Sequence, residues 1–184
     1  MHANRVVLVS GPSGVGKSTV ARRLAEQSPL ERAVHLHTDD FYAYIRKGML
    51  APWLPESHGQ NTTVMTALVA SAASYAVGGY EVMVDGVIGP WFFEPWLAAA
   101  RTQQLDLRLV ILLPGEEETV ARAAGRVHAN ALTDADVVRK LWRGFRETPL
   151  PEAHVLDTSG QDVEETVDAV RRGVTDGRFR LESR

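Results

Sequence analysis

The chain has 184 residues, room for one compact domain, and 45% of them are hydrophobic against 23% charged, which excludes a disordered or fibrous protein. It contains no cysteine, which excludes thiolate catalysis, cysteine-ligated zinc, iron–sulfur clusters and disulfide scaffolds, and suits a reducing cytoplasmic compartment. A formal net charge of −3 supplies no broad basic field, so neither nucleic acid nor a membrane surface is expected as a partner.

The elements alternate along the chain. Arg5–Ser10 reads as a buried strand without the layout of a signal peptide, and residues 17–27 read as a helix. Ala33–His37 reads as a second strand, followed by a helix over residues 39–47. Residues 48–61, with Pro52 and Pro55, read as a loop. Residues 61–77 have helical spacing, closed by Gly78-Gly79, and are too interrupted by Thr and Ser to span a membrane. Residues 81–84 form a third strand and 108–113 a fourth, stopped by Pro114-Gly115. Residues 116–126 are a helix with an acidic first turn, which the helix dipole favours. A further helix covers 133–145, capped by Thr133 or Asp134, a short fifth strand covers 153–156 and a last helix 163–172. The tail, 177–184, reads as frayed. Continuous apolar strands alternating with helices imply an α/β fold, a parallel sheet covered on both faces, in a single domain over residues 1–184. Ligands of such sheets bind outside the carboxyl ends of the strands.

Gly11-Pro12-Ser13-Gly14-Val15-Gly16-Lys17-Ser18, with Thr19 behind it, fits G-x-x-x-x-G-K-[ST] between a strand and a helix. Glycines let the backbone close around an oxyanion and turn its N–H groups inward, and the helix N-terminus adds positive potential. Lys17 is one of only three lysines among twenty basic residues, and it stands where a β,γ-phosphate cation is required. Ser18 is placed to offer its hydroxyl to Mg²⁺. At ordinary Gly and Lys frequencies the pattern arises by chance in fewer than about one in a hundred chains of this length. These features imply a three-layer P-loop NTPase fold of about five parallel strands, with ATP and Mg²⁺ as cofactors.

Thr38-Asp39-Asp40-Phe41-Tyr42 follows the second strand, and Asp85 ends the third. Phosphoryl transfer needs one carboxylate near Mg²⁺ and one to orient the attacking hydroxyl and accept its proton late. Asp39 is expected in the second role. Ser18 and Asp85 are the expected metal pair, although Asp39 and Asp40 remain alternatives for the metal. Helix capping is the ordinary use of an Asp at 39 or 40.

The phosphate loop, with an Asp closing the second strand about twenty residues later, resembles small P-loop kinases of the nucleoside-monophosphate-kinase-like superfamily. Within it, Thr38-Asp39-Asp40-Phe41 is similar to the segment that supplies the base in chloramphenicol phosphotransferases, and Asp39-Asp40-Phe41-Tyr42 to the acceptor-site start in uridine and nicotinamide riboside kinases. Zeta-toxin-like, gluconate and shikimate kinases share the layout. The resemblance implies that Asp39 is the base. It also implies a small helical lid at about 122–145, in which Arg122 stacks on adenine and Arg126 reaches the phosphates. Arg139 and Arg143 repeat the i, i+4 spacing, and His128 lies within the lid. Ser159 and Gly160, after the last strand, would border the base.

On the acceptor side, Asp40, Tyr44, Arg46, Asp85 and Trp53 are the expected contacts, with Arg46 two helical turns beyond Asp39. Trp91, Phe92, Phe93 and Trp96 suit either an organic acceptor or the core. His35 and His37 alternate on a strand and read as satisfied core histidines. The combined expectation is an ATP- and Mg²⁺-dependent kinase acting on a small hydroxylated acceptor, as a monomer or homodimer. A nucleoside-monophosphate kinase is an alternative, disfavoured by the few acceptor-side arginines, as is a non-enzymatic ATP-binding switch.

Overall fold

The computed structural model describes residues 4–125, 132–147, 149 and 152–181. Five strands, β1 (Arg5–Ser10), β2 (Ala33–His37), β3 (Glu81–Asp85), β4 (Asp106–Leu112) and β5 (Val155–Leu156), form a parallel sheet in the order β2-β3-β1-β4-β5. Every residue of β1 is buried, because the strand is central and covered on both faces. Alternation sends Val6 and Leu8 to one face and Val7 and Val9 to the other.

Helices α3 (His58–Val77) and α4 (Phe93–Gln103) cover the first face through Met65, Leu68, Ala72 and Trp96. Helices α1 (Lys17–Glu26) and α7 (Val163–Thr175) cover the second through Val20, Leu24, Val167 and Val170. Each such fully buried aliphatic side chain contributes roughly 1.5–3 kcal/mol. Helix α7 starts where its sequence says it should: Asp162 accepts from the Glu165 N–H at 2.8 Å and Glu165 accepts from the Asp162 N–H at 2.9 Å, a reciprocal capping box. Helix α5 (Glu116–Ala124) is held to α6 (Ala135–Glu147) by Arg143–Glu116 at 3.0 Å and by Arg139 against Glu116 and Glu117. Trp142 Nε1 donates to the Pro114 carbonyl at 2.8 Å. No helix among the described residues is long and apolar enough to cross a membrane.

Several sequence expectations change. The helix expected over 39–47 is α2 (Thr38–Ala43), because Ile45 N turns back to the Tyr42 carbonyl and Gly48 takes a φ of 76°. Arg46 therefore lies beyond α2, and its expected place two turns after Asp39 on one helix is lost. Helix α4, in a stretch with no helix assigned from sequence, takes Trp96 into the core and ends where Gln104 adopts a left-handed φ of 54°. Helix α3 begins three residues earlier than expected, off a Pro55–Ser57 turn. The tail is not frayed over residues 177–181: Phe179 is fully buried, Leu109 N donates to the Phe179 carbonyl, and Leu181 N donates to that of Leu107. It thus occupies the part of the β4 edge that short β5 leaves open.

The amino ends of the strands are closed by a buried ion cluster. Arg5 contacts Glu81 at 3.1 Å and Asp106 at 3.4 Å, and Arg108 contacts Asp106 at 2.9 Å. The opposite, carboxyl edge of the sheet carries the polar groups described next.

Candidate functional site

Strand β3 lies between β1 and β2, and the register aligns Val9, Asp85 and His37 in one row. The loop leaving β1, the end of β3 and the start of α2 are therefore neighbours. Three loop glycines, Gly11, Gly14 and Gly16, have φ values of 138°, 90° and 89°, which side-chain-bearing residues rarely adopt. A Cβ at Gly14 would also lie 2.8 Å from Ala123 N, so the loop tip packs directly on α5. Pro12, Ser13 and Val15 are buried and Thr19 is half-buried on the first turn of α1. Lys17 is buried, with Nζ donating to the Pro12 carbonyl at 2.6 Å across the loop.

Ser18 Oγ donates to Asp85 Oδ2 at 2.6 Å. This hydrogen bond directs the hydroxyl lone pairs away from Asp85, which is the donor geometry a loop-bound Mg²⁺ would use. Asp85 itself has no exposed surface. His35 Nε2 lies 2.6 Å from Oδ1, and His37 Nδ1 lies 3.0 Å from both oxygens. Burial pushes the Asp85 carboxyl up, but hydrogen bonds from His35, His37 and Ser18 overcome this and hold it well below the usual carboxylate range. Asp85 thus stands behind Ser18, its oxygens facing Ser18, His35 and His37. Its main-chain carbonyl accepts from Thr38 Oγ1 at 2.6 Å, which pins the head of α2 to the end of β3.

His35 and His37 satisfy hydrogen bonds as expected, but they are partly exposed and face Asp85 rather than the core. His37 Nε2 lies 3.5 Å from Asp39 Oδ2. The Asp39 carboxylate first, and Asp85 second, hold the His37 imidazolium, whose pKa is pushed up to about 10 against the opposing effect of burial. Asp39 is exposed, and its carboxyl is lowered first by His37 and, more weakly, by the Lys17 ammonium. The base candidate and the loop lysine are thus in electrostatic reach of one another. The histidines were legible only as a His-x-His alternation running into Thr38-Asp39, since nothing local announces Asp85 as their partner.

Asp40 is exposed, and Tyr44 lies about 140° round α2 from Asp39. Tyr44 lines a cavity of about 350 Å³ between α2 and α3, with Phe41, Ile45, Gln60, Thr63 and Val64. Tyr42 OH donates to Asn61 Oδ1 at 3.0 Å, and Asn61 Nδ2 donates to the Pro52 carbonyl at 2.8 Å. This ties α2 to the loop that carries exposed Trp53. Burial first, and the Asp39 charge second, push the Tyr42 phenol up to about 12.

Arg122 reaches Glu118 at 2.5 Å and the Gln161 carbonyl at 3.4 Å. Ser159 Oγ accepts from Gly115 N at 3.0 Å, and Gly160 N points to Glu118. Arg122, Ser159 and Gly160, expected beside an adenine, are therefore gathered on one side of the phosphate loop, through the contact of α5 with Gly14. Arg126 and His128, expected at the phosphates, lie outside the described residues.

Residues 6–148 match the family model described as AAA domain. No curated protein matches the chain. Among solved structures, the Mycobacterium tuberculosis APS kinase CysC in complex with AMPPNP and APS superposes with a TM-score of 0.69 at 18% identity, covering 95% of this chain and 99% of that one. A gluconokinase from Sinorhizobium meliloti 1021 gives 0.65 at 16% identity, covering 97% and 95%. The Deinococcus radiodurans tunicamycin resistance protein gives 0.60 at 16% identity, covering 93% and 96%. The chain belongs to the AAA domain family and has the five-stranded parallel fold of the small P-loop kinases.

Proposed function

We propose that the protein is an ATP- and Mg²⁺-dependent phosphotransferase that moves the γ-phosphoryl group to a hydroxyl of a small molecule. One observation carries this reading. Asp39, at the head of α2, is joined through His37 and Asp85 to Ser18 of the phosphate loop, and it feels the Lys17 charge. The kinase names of two similar structures support the reading.

In this mechanism the N–H groups of residues 13–18 cradle the triphosphate, and Lys17 leaves the Pro12 carbonyl to neutralise the β- and γ-oxygens. Bound Mg²⁺ would neutralise charge between those phosphates, held by Ser18 Oγ with Asp85 behind it. Asp39, ionised at neutral pH, accepts a hydrogen bond from the acceptor hydroxyl. It aims the oxygen at the γ-phosphorus and takes the proton as the new bond to phosphorus forms, while the bond from phosphorus to the β,γ-bridging oxygen breaks and ADP leaves. Arg122, Ser159 and Gly160 border the base, and Arg126 closes over the phosphates as part of a lid at about 122–145. Asp40, Arg46 and Trp53 stand on the acceptor side. The chain works as a single domain in the cytoplasm.

The test is ADP release in the presence of a panel of hydroxylated compounds. Asp39→Asn is expected to keep ATP affinity and to lose at least about a hundredfold in transfer. Lys17→Ala is expected to damage binding and transfer together. If no compound raises ADP release and Asp39→Asn changes nothing, an ATP-binding switch explains the site better.

A further inference from the structure

We propose that His37 is a positioning residue for phosphoryl transfer, bridging the Asp85 and Asp39 carboxylates so that Asp39 stays turned toward the phosphate loop. The proposal rests on the assignment of Asp39 as base and adds what holds that base in place.

Asp39 needs such a device. Its side chain is 72% exposed on the first turn of a six-residue helix, and an unrestrained carboxylate there would sample several χ1 wells. Among the described residues, the ion contact found for it is His37 Nε2, at 3.5 Å. The imidazole is fixed from its other side. Nδ1 lies 3.0 Å from both oxygens of Asp85, and the register pairs His37 directly with Asp85. Asp85 is in turn immobilised by His35 at 2.6 Å and Ser18 at 2.6 Å, with no exposed surface. A continuous line of contacts thus runs from the phosphate loop to the base through one ring.

The ring type matters. Both nitrogens face carboxylate oxygens, so both serve as donors, and the ring separates two negative charges that would otherwise repel across the cleft. An amide side chain is too short to donate to both carboxylates at once. His35 does not share the role, because only His37 reaches toward Asp39. A base aimed wrongly by about 1 Å costs on the order of a hundredfold in rate, so the bridge should appear in turnover rather than in binding.

The experiment compares the full chain with His37→Asn, His37→Gln, Asp39→Asn and the double variant His37→Asn/Asp39→Asn, each first checked for folding by thermal melting. Three quantities are read: affinity for a fluorescent ATP analogue with Mg²⁺, turnover with the responding hydroxylated compound, and the imidazole ¹⁵N–¹H spectrum of the ligand-free protein. Both His37 variants are expected to bind nucleotide within about threefold of the parent and to lose about tenfold or more in kcat, with acceptor KM little changed. The double variant should be no slower than Asp39→Asn alone, because the two residues act as one unit. Asp39→Asn should move the His37 Nε2 signal, on the side that faces Asp39.

Undiminished kcat in both His37 variants, beside lost transfer in Asp39→Asn, overturns the positioning role alone. Asp39→Asn with parental transfer overturns the base assignment and the positioning role with it. The ring spectrum needs no acceptor: an Nε2 signal unmoved by Asp39→Asn overturns the bridge.

Discussion

Ser18 of the phosphate loop and Asp85 at the end of β3 are 67 residues apart in sequence and 2.6 Å apart in space, hydroxyl to carboxylate. The hydroxyl proton is committed to Asp85, so the outward lone pairs are all that Ser18 offers to a cation. Ser18→Ala is therefore expected to weaken nucleotide binding by about tenfold or more in the presence of Mg²⁺ and to leave the metal-free affinity nearly unchanged. Titrating a fluorescent ATP analogue with Mg²⁺ and with EDTA reads both. Equal losses under the two conditions would assign Ser18 to the phosphates instead of the metal.

A second expectation concerns Gly86, which follows Asp85. A Cβ there would meet Thr38 Oγ1 at 2.0 Å and Thr38 Cβ at 2.7 Å. Thr38 is buried, and its hydroxyl holds the head of α2 to the Asp85 carbonyl, so it has no room to retreat. Gly86→Ala should cost about 1–3 kcal/mol of stability through overpacking, and it should swing Asp39 away from the phosphate loop. Urea unfolding measures the first effect. Acceptor-dependent ADP release, lowered well beyond the change in nucleotide affinity, measures the second.

Residues that act on their own neighbours were legible in the sequence. The phosphate loop is a contiguous motif whose glycines, lysine and serine work at fixed spacing, and Asp39 stands at the junction of a strand and a helix. The His35–Asp85–His37 cluster was not legible, because it depends on β3 entering the sheet between β1 and β2, a pairing no local pattern states. The His-x-His alternation was visible, but on a strand it fits a core histidine equally well. Arg46 was misplaced for a related reason: helical spacing was carried past Ala43, where the main chain turns back through Ile45 N and leaves the helix. The buried tail around Phe179 depended on the shortness of β5, which left the β4 edge open.

The ion cluster under the sheet contributes to the acid limb of stability, beside the lowered carboxyls of Asp85 and Asp39. Burial raises the Asp106 carboxyl, but the Arg108 and Arg5 guanidinium groups more than offset it and hold the group below its ordinary value. A carboxyl lowered in the folded state binds fewer protons than in the unfolded chain. Its contribution is therefore present above about pH 4 and is lost as the pH falls through the folded value. His37 works in the opposite sense at the other limit. Raised to about 10, it stabilises fully below about pH 6.5, and that contribution is lost as the pH climbs toward 10. Urea midpoints measured from pH 3 to 10 should fall at both ends. Asp106→Asn should lessen the acid fall and leave the alkaline limb in place, whereas His37→Asn should flatten the alkaline limb and also lessen the acid fall, because His37 holds the Asp39 and Asp85 carboxyls down.

The loop that carries Trp53 hangs on one buried amide. Asn61 is 8% exposed, and its Oδ1 accepts from Tyr42 OH while its Nδ2 donates to the Pro52 carbonyl and to Ser57 Oγ at 3.0 Å. Tyr42→Phe removes the hydroxyl and leaves Oδ1 without that donor, at a cost of about 1–3 kcal/mol. Asn61→Ala removes both ends of the link and should release the loop carrying Trp53, making it more susceptible to limited proteolysis than the rest of the chain. If the loop borders the acceptor, each variant should raise the acceptor KM while leaving nucleotide affinity at its parental value. A raised nucleotide KM with an unchanged acceptor KM would put the loop outside the acceptor site.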